Sequence, residues 1–253
     1  MDVNQVCAIG VMAKAPQPGR SKTRLCPPLC HDDAAALSAA FLRDISENIG
    51  LAGKFVPIHG CIAYAPAGSE VLFDGHLAAG TGLVLADGSP EVPDDVVGFG
   101  RCLLHAIRSM LGQGFAAACV LNSDSPTLPT SLLVQAARAL LEPGERIVLG
   151  PAEDGGYYLI GMKSSHARLF ADIAWSTDRV AAATRRRAVE LGLDVIELAP
   201  WYDVDDGAAL DRLLRETAAS VSSGALHPYA APFTVAALGR MGLRPADAAR
   251  AAE

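Results

Sequence analysis

No stretch of this 253-residue chain holds the ~20 consecutive apolar residues that a membrane-spanning helix needs. No basic segment followed by an apolar core and a small-residue cleavage site opens it, so a cytoplasmic protein is the expectation. Excess positive charge is also lacking: the net charge of −7 argues against a general nucleic-acid binder. The six histidines fall at no metal-ligand spacing, and there is no Gly-x-Ser-x-Gly elbow to nominate a Ser/His/Asp triad. Neither the Walker loop nor the Gly-x-Gly-x-x-Gly dinucleotide fingerprint is present. The six cysteines lack zinc-finger spacing; Cys26-x-x-x-Cys30-His31 is a partial metal motif with no second ligand pair, so reduced structural thiols are expected. Disorder is excluded as well, since 51% of the residues are hydrophobic.

Against these absences one stretch stands out. Residues 14–25 carry four cations (Lys14, Arg20, Lys22, Arg24) with Gly19 and two prolines, directly after an apolar run at 6–11 that reads as a buried strand. Glycine lets the backbone approach a ligand, proline stiffens the turn and the cations neutralise charge, which suits a phosphate or pyrophosphate cradle. A solvated basic loop explains the same composition equally well.

Further along, strand-like and helix-like patterns alternate. Leu37, Phe41, Ile45 and Ile49 recur every fourth residue in a helix over 32–51 that Asp32 or Asp33 can cap. Strands are expected at 57–64, 82–85, 115–121, 146–150, 157–162 and 195–198. Helices are expected at 99–111, from 130 or 131 to 141, at 176–191 and around Leu210, Leu213 and Leu214, with short ones near 69–77 and 166–172. Alternation of this kind predicts an α/β fold with a mainly parallel sheet. The pair Gly155-Gly156, followed at once by an apolar run, predicts one departure from strict alternation. Composition turns to Ala, Ser and Gly after Thr217, so the main domain is expected over 1–219, with a linker and a small helical appendage or tail over 220–253.

Acidic residues supply the remaining candidates. Asp124 ends the most apolar strand, where open α/β sheets bind ligands and where a carboxylate can hold Mg²⁺ or Mn²⁺; a turn or cap role is the competing reading. Asp203 and Asp205 lie two apart and so share a side of an extended segment, with Val204 packing inward. Asp205 or Asp206 can equally cap the next helix. Asp154 stands beside Gly155 and Gly156 and before Tyr157, where it could accept bonds from substrate hydroxyls or act as a base; a tight turn accounts for Asp-Gly too. Together, a basic loop after the first strand, a lone Asp after a central strand and a late Asp-x-Asp are the parts needed to handle a nucleoside diphosphate or triphosphate.

Five ordered motifs then carry a resemblance: Lys14-x-Pro16-x-Pro18-Gly19-x-x-Lys22-Thr23-Arg24-Leu25; Ser123-Asp124-Ser125-Pro126; Pro151-Ala152-x-Asp154-Gly155-Gly156-Tyr157-Tyr158-Leu159-Ile160-Gly161; Trp175-Ser176-Thr177; and Trp201-Tyr202-Asp203-Val204-Asp205. They resemble a bacterial family of glycosyltransferase-A-like proteins, some named for arsenosugar biosynthesis, over roughly the first 215 residues. The resemblance implies the nucleotide-diphospho-sugar transferase fold, a single Rossmann-like α/β/α sandwich. It implies a divalent metal, Mg²⁺ or Mn²⁺, at Asp124, Asp203 and Asp205. It further implies phosphate binding by Lys14, Gly19, Arg20, Lys22 and Arg24, substrate contacts from Gly155, Gly156 and Tyr157, and catalytic roles for Asp124 and Asp154. Asn122 departs from the pattern, in which Gly is expected. The reaction expected is glycosyl transfer from a nucleotide-sugar to a small acceptor. The alternative is nucleotidyl transfer from an NTP to a phosphorylated acid or sugar, which the four cations suit, and a catalytically degenerate nucleotide-binding protein is a third reading.

Overall fold

The first strand, β1 (Cys7–Ala13), sits in the interior of the sheet because nearly every residue in it is apolar and buried. It pairs in parallel with β2 (Ile58–Tyr64) on one side and β4 (Ala117–Leu121) on the other. A computed structural model describes residues 3–218 and 226–243 of the chain. The sheet has seven strands in the order β3-β2-β1-β4-β6-β5-β7, with β3 at Gly82–Leu85, β5 at Arg146–Pro151, β6 at Tyr157–Met162 and β7 at Asp194–Glu197. All pairings are parallel except those of β6, which runs antiparallel to β4 and to β5. The departure expected from Gly155-Gly156 is thus a hairpin between β5 and β6.

Two helical layers cover the sheet. Helices α1 (His31–Ala52), α3 (Thr130–Leu141), α5 (Gly207–Ala218) and α6 (Pro232–Arg240) pack on one face in a core with Ile9, Ile62, Cys119 and Leu159. On the other, α2 (Phe99–Gly112) and α4 (Val180–Glu190) pack with Ala8, Val120 and Ile160. This is the expected α/β/α sandwich. Each layer follows from helical periodicity: α1 buries Leu37, Phe41, Ile45 and Ile49, and α2 buries Leu103, Leu104, Ile107 and Met110. Every such side chain contributes ~1.5–3 kcal/mol of transfer free energy.

Some local expectations are corrected. The cap of α1 is Cys30, whose Sγ accepts from the Asp33 amide at 3.3 Å, in place of Asp32 or Asp33. Thr130 does not cap α3; its hydroxyl donates to Asn48 Oδ1 at 2.6 Å. The α4 helix begins at Val180 instead of 176, because Ser176 holds a left-handed φ of 61°. Cys7, Cys61 and Cys119 are buried free thiols in strands, as expected.

The expected linker at 220–224 lies outside the described residues. Of the C-terminal segment, α6 packs on α1 through Ala237 and Leu238. Its first turn is held by the buried Asp44 carboxylate, which accepts from the Phe233 and Thr234 amides at 3.1 and 2.6 Å.

Strand order turns away from β1 in both directions, towards β2 and towards β4, with α1 and α2 on opposite faces. That makes the carboxyl ends of β1 and β4 the topological switch point, where a crevice opens.

Candidate active site

Residues 14–25 leave β1 at this crevice, and residues 122–126 leave β4 beside them. The basic loop is organised by its own bonds: the Arg20 and Ser21 amides donate to Gln17 O, and the Gln17 amide donates to Ser21 Oγ at 3.0 Å. Gly19 forms the tip with φ 72°. The segment after β7 is stitched alongside. Ser125 Oγ donates to Tyr202 O at 2.8 Å, the Val204 amide donates to Asp124 O at 2.8 Å, and the Glu153 amide donates to Trp201 O at 3.0 Å. Asp203-Val204-Asp205 therefore runs between Asp124 and the β5–β6 turn. Val204 is fully buried, so the flanking carboxylates share the other side, as the two-residue spacing predicted.

A cavity of about 630 Å³ fills the crevice. Lys14, Arg20, Lys22 and Arg24 line it together with Asp124 and Asp205, and Ala63, Ala86, Phe99 and Cys102 give it an apolar end. The cations are not equivalent. Lys14 and Arg20 are exposed and form no salt bridge among the described residues. Arg24 is 78% exposed and only 3.9 Å from Asp205. Lys22 is 7% exposed: its ammonium lies 2.6 Å from Asp124 Oδ1 and 3.2 Å from Asp205 Oδ1, and donates to Val204 O at 2.7 Å. Gly19 does not line the cavity.

A second cavity of about 470 Å³ adjoins the first and shares Arg24 and Asp205 with it. Glu153, Asp154, Asp203 and Asp206 line it, with Arg212 and Arg215 from α5. Arg212 holds Glu153 in a two-pronged ion pair at 2.6 and 3.1 Å and stacks 3.8 Å over the Tyr202 ring. Asp206 is the helix cap expected there, accepting from the Ala209 amide at 2.9 Å. Asp203 is half-buried, and its carboxyl is pushed up to about 6 by burial first, then by the charges of Asp205, Asp154 and Asp124.

Of the residues expected to touch substrate, Asp154 lines the second cavity, whereas Gly155, Gly156 and Tyr157 line neither cavity. Gly155 has a packing reason instead. Its φ is 91°, and a Cβ there would lie 2.1 Å from Asp178 O. Its own carbonyl accepts from the Ala181 amide at 3.0 Å. Tyr157 packs with Ile173, Trp175 and Val180, and burial pushes its phenol up. Arg212, Arg215 and Phe99 line these cavities without belonging to any of the sequence motifs. The first two carried a readable signal: with Ala208 they fall at i, i+4 and i+7 on a helix that starts just after the Asp-x-Asp. Asn122 is half-buried beside Asp124 with its Oδ1 unpartnered.

Carboxylate oxygens suit a hard divalent cation. Among the described residues, however, no group of three or more His, Cys, Asp or Glu side chains stands close enough to hold one. The donor set fits an ion that arrives with a phosphate and takes one or two protein carboxylates, rather than one caged by protein alone.

Residues 55–177 match the family described as "Uncharacterized protein conserved in bacteria (DUF2064)". No curated protein matches the chain. Among solved structures, a "putative nucleotide-diphospho-sugar transferase" from Desulfovibrio desulfuricans G20 is 27% identical, with 94% of this chain and 95% of that one covered and a TM-score of 0.76. A cytidylyltransferase from Leptospira borgpetersenii serovar Hardjo-bovis is 10% identical over 93% of this chain and 94% of that one, with a TM-score of 0.51. CMP:2-keto-3-deoxy-manno-octonic acid synthetase, complexed with CTP, is 10% identical over 82% and 96%, with a TM-score of 0.50. The last two likenesses are of fold alone. The resemblance read from the five motifs holds: the chain is similar to a conserved bacterial family, and its fold is that of the nucleotide-diphospho-sugar transferases.

Proposed function

We propose that this chain is a metal-dependent transferase that binds a nucleotide pyrophosphate and moves the sugar of a nucleotide-diphospho-sugar to a small acceptor. The observation that carries this reading is the distribution of cations in the switch-point cavity: Lys14 and Arg20 face it with no ion pair among the described residues, exposed Arg24 has only a long contact to Asp205, and Lys22 is engaged by acids. Exposed cations at the end of β1 suit a polyphosphate anion such as a diphosphate. They neutralise it on binding and stabilise the charge that develops on the departing nucleoside diphosphate. Asp124 and Asp205 are the carboxylates that would hold the metal, which when bound would share the pyrophosphate charge, while Asp203 lies in the adjoining cavity outside that pair. The adjoining cavity offers a place for the acceptor. Asp154 lines it and can take the proton from the acceptor hydroxyl as that oxygen bonds to the sugar carbon and the nucleoside diphosphate leaves.

Nucleotidyl transfer is the second reading, favoured by the four cations of residues 14–25. Calorimetry with UDP-, GDP-, CDP- and dTDP-sugars and with NTPs, with and without Mg²⁺ or Mn²⁺, tests both. Metal-enhanced binding of a nucleotide-sugar with release of free nucleoside diphosphate is the expected result. Pyrophosphate release from an NTP selects the second reading, and no binding by any ligand overturns both.

A further inference from the structure

The four cations of the basic loop look alike in sequence, but one is set apart by the fold. An ammonium has three N–H donors. Those of Lys22 have three acceptors at hand: Asp124 Oδ1 at 2.6 Å, Asp205 Oδ1 at 3.2 Å and Val204 O at 2.7 Å. The ammonium also lies over the Phe41 ring, 5.3 Å from its centroid, and only 7% of the side chain is exposed. A phosphate oxygen approaching Lys22 finds no free donor. On the same cavity wall, Lys14 and Arg20 form no ion pair among the described residues, and Arg24 has only the long contact to Asp205.

The surroundings of the ammonium are themselves informative. Two carboxylates and a backbone carbonyl are the oxygen donors that a hard divalent cation takes. We propose that Lys22 is the resident counter-ion of the acidic site, occupying in the free protein the place between Asp124 and Asp205 that a divalent metal enters only by displacing it. This rests on the metal-dependent reading above. It gives that site an order of events: a bare metal ion must evict a bonded ammonium, whereas a metal arriving with a nucleotide brings phosphates that the released Lys22 can face. Lys22 is then a positioning residue that ties the basic loop to Asp124 and Asp205 and couples metal entry to nucleotide entry.

The test uses Mn²⁺ alone. The free Mn²⁺ EPR signal is followed while nucleotide-free protein is titrated, for the full-length chain and for Lys22→Met and Lys22→Arg, with circular dichroism to confirm the fold. Lys22→Met keeps the apolar stem and removes the charge, so its Mn²⁺ affinity should rise on the order of tenfold or more, as expected for loss of a competing bond to charged groups. Lys22→Arg, which keeps the charge, should stay close to the wild type. A Lys22→Met protein that binds Mn²⁺ no more tightly than wild type overturns the proposal, as does equal tightening in Lys22→Arg. A phosphate-ligand role predicts no gain in bare-metal affinity, and a merely structural role predicts a loss. Should Lys22→Met fail to fold, Lys22→Gln is read in the same titration. No nucleotide enters this experiment, so its failure is distinguishable from failure of the proposed transfer reaction.

Discussion

Asp203 is a carboxylate among carboxylates, with no cation bonded to it among the described residues. Burial, then Asp205, Asp154 and Asp124, push it up to about 6, against about 4 in an unfolded chain. The folded protein therefore holds this proton more tightly than the unfolded chain does. The stabilisation is fully present below about pH 4 and is lost as pH rises through about 6. In the metal-free protein, Asp203→Asn should raise stability at about pH 7.5 by ~1 kcal/mol, a figure reduced for partial solvent screening, and the gain should close below about pH 4. Thermal unfolding at the two pH values checks this; a gap of equal size at both contradicts it. Arg20 and Arg24 make a complementary case. Arg20 is exposed in the cavity with no ion pair among the described residues, and Arg24 is 78% exposed with only a long, solvated contact to Asp205, so replacing either by Ala should leave stability nearly unchanged and weaken nucleoside diphosphate or triphosphate binding about tenfold. Affinity for the bare nucleoside should not move; an equal drop for all three ligands would show that the loop only shapes the site.

At the scale of elements, the β5–β6 hairpin turn shows how one composition serves a different purpose from the one it suggests. Taken alone, Asp154-Gly155-Gly156 reads more readily as a tight turn than as a site of ligand approach. The fold separates its members, sending Asp154 to the second cavity and clamping Gly155 against the stretch before α4. Gly155→Ala should thus cost roughly 2–4 kcal/mol, since a left-handed φ and a backbone clash act together. Urea unfolding measures it, and a cost below ~1 kcal/mol would mean that the turn relaxes freely. Strands and helices were legible here because period-2 and period-3.6 burial is imposed by the sheet and its covering layers, as Phe41 and Ile45 on α1 or Val120 on β4 illustrate. Part of what could not be read was supplied by long-range contact. Lys22 is removed from the loop's free cations by partners 102 and 183 residues distant, whereas the Cys30 cap of α1 and the positive φ of Ser176 before α4 are local features that composition does not announce. The second cavity, too, exists only because residues 201–206 are stitched between β4 and the β5–β6 turn.

For the whole molecule the open matter is where the folding unit ends. Composition divides the chain near residue 219, and we propose instead that the C-terminal segment stabilises the main domain. Helix α6 places Ala237 and Leu238 in the same apolar core as α1, and Arg43 stacks 4.9 Å from Phe233. The Tyr229 amide donates to Thr127 O at 3.0 Å, close behind the Ser125-to-Tyr202 bond that supports Asp124's segment. Asp44, fully buried, is raised chiefly by that burial and is held by the first two amides of α6. Ending the chain at Ala218 would leave the apolar face of α1 uncovered and Asp44 without its donors, a loss on the order of 3–5 kcal/mol by analogy with breaking a buried charged pair. For a domain of this size that corresponds to a fall in Tm of roughly 10 °C or to aggregation. Asp44→Asn, which keeps an acceptor for one of the two amides, should fall between the truncated and full-length proteins. Differential scanning calorimetry decides the matter. One cooperative transition that shifts down on truncation and partly down in Asp44→Asn supports a single folding unit, whereas an unchanged main transition in the shortened chain would make the segment an appendage after all.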